Sequence, residues 1–102
     1  MNRVEVLKSM LDRNPGDSFA RYGLAMEYKG AGDWESAMRE FRALIAANPD
    51  YHAAYFHGGQ TLERMGREDE AREMYREGVG AAARAGNGHA QAEMQGALDL
   101  LG

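Results

Sequence analysis

Apolar residues recur along this chain at intervals of three and four, the spacing that lines one face of a helix, and no segment keeps the strict alternation of a half-buried strand. Val4, Leu7, Met10 and Leu11 predict a first helix over about 2–13, ended by Asn14-Pro15-Gly16. A second, over about 17–30 and capped by Asp17 or Ser18, carries two adjoining apolar faces: Phe19, Tyr22 and Met26 on one, Ala20, Leu24 and Tyr28 on the other. Gly30-Ala31-Gly32 breaks it. Asp33 then caps a third helix over about 34–47, whose buried face is expected to be Trp34, Ala37, Phe41, Leu44 and Ile45. Asn48-Pro49 stops that helix, and Asp50 stands where the next cap is wanted. Helices over about 51–65 and 68–84 follow, separated by Gly66. After Gly86-Asn87-Gly88 a closing helix, about 89–101, aligns Ala90, Met94, Ala97, Leu98 and Leu101.

The pattern repeats. Asn14-Pro15 and Asn48-Pro49 lie 34 residues apart, and the same offset superposes Gly32 on Gly66, Ala37 on Ala71, Phe41 on Tyr75 and Arg42 on Arg76. A period of this length marks stacked helix–turn–helix units, each too small to bury its apolar face alone. Small residues at Ala25, Gly59, Ala37 and Ala71 permit close helix approach, while Tyr28, Phe41 and Tyr75 fill the space between hairpins. Gly32 and Gly66 serve the left-handed turns within the hairpins.

These residues resemble the tetratricopeptide repeat, in which helix A has Trp-x2-Leu-Gly-x2-Tyr and helix B has Ala-x3-Phe with a later Pro. With Pro49 as that proline, one unit begins at Ser18 and supplies Leu24, Ala25, Tyr28, Gly32, Ala37 and Phe41. The next begins at His52 and supplies Tyr55, Gly59, Leu62, Gly66, Ala71 and Tyr75. The resemblance implies an all-α fold, a right-handed superhelical stack of antiparallel helix hairpins with about six helices, as one domain over 1–102. Residues 1–15 then read as a preceding helix-B-like segment, 18–51 and 52–85 as two repeats, and 88–102 as a capping helix. Arg21 departs from the leading aromatic, Gly58 from Leu and Ala83 from Pro. Gly58, Gly59, Gly78 and Gly80 each cost a helix roughly 1 kcal/mol relative to alanine, which marks the second unit as the softer one. Without a proline at 83, the fifth helix is free to run on toward Ala85.

Composition narrows the function. At 44% hydrophobic and 27% charged the chain is globular rather than disordered, and a net charge of −4 argues against nucleic acid. No apolar run approaches the roughly 20 residues needed to span a bilayer, and Glu5 sits where a signal peptide would be apolar. With no cysteine, a cytoplasmic setting is expected. His52 and His57 are five apart, about 140° around a helix, so they are not read as a ligand pair, and no metal or cofactor is expected. Gly78-Val79-Gly80 lies within a helical stretch and so is not a dinucleotide fingerprint. No nucleophile–base pattern points to an enzyme.

In the resembled family the A helices line the concave face, and positions 2, 5, 9 and 12 of each unit touch ligands. Here these are Phe19, Tyr22, Met26 and Lys29, then Ala53, Phe56, Gln60 and Glu63; His57, Arg64, Ala90 and Met94 adjoin them. Tyr22 and Met26 occupy the places where some members carry a Lys/Asn clamp for peptide carboxyl termini. The expectation is a non-catalytic adaptor that holds a peptide or protein segment in this groove, with apolar anchors at its centre. The alternative is self-assembly, by end-to-end stacking or exchange of a hairpin between copies.

Overall fold

A computed structural model describes residues 1–102 as six helices: α1 Arg3–Arg13, α2 Ser18–Gly30, α3 Trp34–Ala47, α4 His52–Arg64, α5 Glu68–Arg84 and α6 Gly88–Leu101. Starts recur at 34 residues, Ser18 to His52 and Trp34 to Glu68. Each helix packs on its sequence neighbours, and α4 also touches α2 and α6. Alternate helices therefore form two layers, with α2, α4 and α6 in one.

Side-chain caps start four helices: Asn2, Asp17, Asp33 and Asn87 each accept from a backbone N–H three residues on. Asp50 does not cap α4. Tyr51 occupies that position without a side-chain bond, and the Asp50 carboxylate instead accepts from Arg84 Nε at 3.1 Å. The turns inside and after the hairpins place Gly32, Gly66 and Gly86 at φ of 77°, 75° and 69°. Those values strain any residue with a Cβ.

Ala25, Ala37, Phe41, Leu44, Tyr55, Leu62, Ala71 and Tyr75 belong to one buried cluster, and Leu7, Leu11, Ala20 and Leu24 to a smaller one between α1 and α2. Trp34 and Ile45 are only half-buried, and Met38 takes a place in the core of α3. Two glycines that read as weak points are close approaches. A Cβ at Gly59 would lie 2.6 Å from Tyr75 Cζ, and one at Gly78 would lie 2.7 Å from Tyr55 Cβ. At 17 residues α5 is the longest helix, and it buries Ala81 and Ala82 in the turn that a proline at 83 would disturb. No helix is long and apolar enough to cross a membrane.

Candidate functional site

The layer of α2, α4 and α6 gathers most of the expected groove residues around His57. Its ring centroid lies 5.9 Å from that of Tyr22 and 5.4 Å from that of Phe56, both edge-on. Tyr51 extends the chain of rings beyond Tyr22 at 5.4 Å, and Tyr75 extends it beyond Phe56 at 6.4 Å. Edge-to-face and tilted contacts at these separations are the favourable ones for aromatic quadrupoles. Tyr22, Phe56 and His57 are half-buried, unlike Phe41 and Tyr75 in the core.

Polar groups flank this strip. Lys29 reaches from α2 to α4, with its Nζ 3.0 Å from His57 Nδ1 and donating to Gln60 Oε1 at 2.7 Å. Burial, reinforced by the nearby Arg64 charge, holds Lys29 below the usual ammonium range. Burial, and then the Lys29 charge, likewise hold His57 below the usual imidazole range. A neutral His57 accepts from Lys29 at Nδ1. Lys29, Gln60, Glu63 and Arg64 line a pocket of about 310 Å³. Met26 lies beside it in a second pocket, of about 360 Å³, with Lys29, Gly30, Trp34 and Arg64. The Arg64 guanidinium stands 5.9 Å above the Trp34 ring, within cation–π range.

Ala53 and Phe56 line a third pocket, of about 180 Å³, between α4 and α6 with His52, His57, His89, Glu93 and Met94. All three histidines line it. No group of three or more histidine, aspartate or glutamate side chains is placed to hold a metal ion. Met94 is only 1% exposed and is one of the largest core side chains, so it contributes little surface. Phe19 stands apart, 72% exposed at the start of α2. Sequence reasoning missed Tyr51 as a partner of Tyr22 and put Trp34 in the core. A tyrosine just before a helix and a tryptophan just after a cap carry no periodic signal.

The comparisons agree with this architecture. The family model for the tetratricopeptide repeat matches residues 4–55 and 28–92. The TPR repeat-containing protein PA0015 of Pseudomonas aeruginosa is 30% identical over 91 residues, covering 89% of this chain and 87% of that protein. The solution structure of a tetratricopeptide repeat domain protein from Salinibacter ruber is 33% identical, with a TM-score of 0.81 over 86% of this chain and 89% of its own. PcrH in complex with the chaperone binding region of PopD superposes with a TM-score of 0.90 over 96% of this chain and 74% of its own, at 15% identity, which is a likeness of fold. Two overlapping family matches, a relative matched over 87% of its own length and the two-layered helical stack together establish that this chain belongs to the tetratricopeptide-repeat family, generally a non-catalytic interaction scaffold.

Proposed function

We propose that this chain is a non-catalytic, cytoplasmic adaptor that binds a peptide or protein segment along the face of α2, α4 and α6. The observation that carries it is the strip Tyr22–His57–Phe56, which stays half-buried while the rest of the core closes. Half-exposed rings held edge-on are rigid, so a ligand that covers them gains apolar burial at little entropic cost. Lys29, Gln60 and Arg64 at one margin supply the polar rim that orients such a segment. PcrH, which shares the fold, is known in complex with a region of PopD, so segment binding is compatible with this architecture.

The test is affinity capture compared between the native protein and a Tyr22→Ala/Phe56→Ala variant. The adaptor reading expects specific partners to be lost from the variant while its helix content is kept. Unchanged capture by the variant would remove the strip from the function.

Self-association is the second reading, favoured by Leu100 at 91% exposed on α6, beside the partly buried Leu101. Repeat stacks with an uncovered end face readily extend through a second copy. Sedimentation over a concentration series decides it, and a strict monomer at high concentration sinks it.

A further inference from the structure

Of the chain's 12 lysines and arginines, seven lie within ion-pair distance of a carboxylate: Arg3, Arg21, Arg39, Arg67, Arg72, Arg76 and Arg84. Among the rest, Lys29 and Arg64 line one pocket, near enough for the Arg64 charge to act on Lys29. Two like charges held together in an acidic protein of net charge −4 are unfavourable unless something compensates them. The one carboxylate in that pocket, Glu63, accepts the Tyr75 hydroxyl on its Oε2 and makes no ion pair with either cation, so it offsets at most one of the two positive charges. Glu93, the other acid near this face, acts on His57 from the α6 side.

Donors remain unused as well. Lys29 spends two of its three N–H bonds, both on uncharged partners, His57 and Gln60. The Arg64 guanidinium makes no hydrogen bond and rests over Trp34, which leaves its planar edge free. Beside the pair, Met26 and Trp34 give the adjoining pocket an apolar wall.

We infer that the space between Lys29 and Arg64 is a carboxylate subsite, taking an aspartate or glutamate side chain of the bound segment while a neighbouring apolar side chain lies on Met26 and Trp34. This rests on the reading of the face as peptide-binding. It adds the ligand's chemistry: an acidic residue next to an aliphatic one.

The probe is a pair of capped dipeptides, acetyl-Leu-Glu-amide and acetyl-Leu-Gln-amide, titrated while the Lys29 Cε and Arg64 Nε resonances are followed by NMR. The glutamate probe is expected to move both resonances, at about tenfold lower concentration than the glutamine probe, the factor that a charge-assisted bond supplies over a neutral one. Lys29→Met and Arg64→Met, with helix content unchanged, should each abolish the preference. Equal response to the two probes overturns the inference, as does an equal response at Lys8 on α1. Inorganic phosphate acting at lower concentration than the glutamate probe also overturns it, in favour of a phosphorylated ligand. If the dipeptides fail while Tyr22→Ala/Phe56→Ala still abolishes capture, only the subsite is wrong. If the dipeptides bind as expected while capture is untouched, only the binding face is wrong.

Discussion

The Tyr75 ring fills the space that a side chain at residue 59 would need, and Gly59 is therefore required by packing rather than by backbone conformation. Gly58, its neighbour, is different: a Cβ there would sit 3.6 Å from the flexible Met74 side chain, an ordinary contact. Adjacent glycines in one helix should thus respond with opposite signs. Gly58→Ala should stabilise by about 0.5–1 kcal/mol through helix propensity. Gly59→Ala should destabilise by about 1–2 kcal/mol, because the cost of overpacking exceeds the same gain. Urea midpoints of the two variants check this.

The caps give a second contrast. Asp17 bonds the Ala20 N–H at 3.0 Å, so Asp17→Ala should cost about 1 kcal/mol. Asp50, equally well placed in the sequence, makes only an exposed pair with Arg84, and Asp50→Ala should cost no more than about 0.5 kcal/mol. Thermal unfolding resolves the difference.

His57 predicts an acid sensitivity. Its folded-state pKa lies below its ordinary 6.5, so the unfolded chain binds the extra proton first. The stability it contributes is present above that value and lost as pH falls through it toward the folded pKa. Denaturant unfolding at about pH 7.5 and 5.5 should show this loss, and His57→Gln should reduce it. An equal loss in the variant would place the sensitivity elsewhere.

Tyr75 predicts the opposite edge. Burial, and then the bond to Glu63, raise its phenol above the ordinary 10.0, so the contribution is intact below that pH and lost as pH climbs past it. Tyr75→Phe should lose stability less steeply above about pH 10, measured as the slope of unfolding free energy against pH. Tyr22, Tyr51 and Tyr55 are also raised, so the slope should fall without vanishing.

The fold was readable because a repeat writes each structural requirement twice. Gly32 with Gly66, and Phe41 with Tyr75, disclosed both turns and both hairpin cores from their offset. The site was less readable. Lys29 meets His57 and Gln60 across 28 and 31 residues, spacings set by how neighbouring helices cross rather than by the period. The family register proposed Met94 for the groove on its helical phase, but its sulfur fits against Gly78, and only the packing of α5 on α6 reveals that it is core. Asp50 failed as a cap for a similar reason. The long α5 brings Arg84 to it, a partner 34 residues away that no local rule foresees.

Because each helix leans mainly on its sequence neighbours, no contact closes the array from end to end. Opening one extremity sacrifices a single interface and leaves the others standing. Amide exchange should therefore run as a gradient rather than a plateau: fastest in α1, which touches α2 alone, and slowest in α4, which touches α2, α3, α5 and α6. The protein loosens from its edges inward, and the helix that carries His57 and Gln60 is among the last to let go.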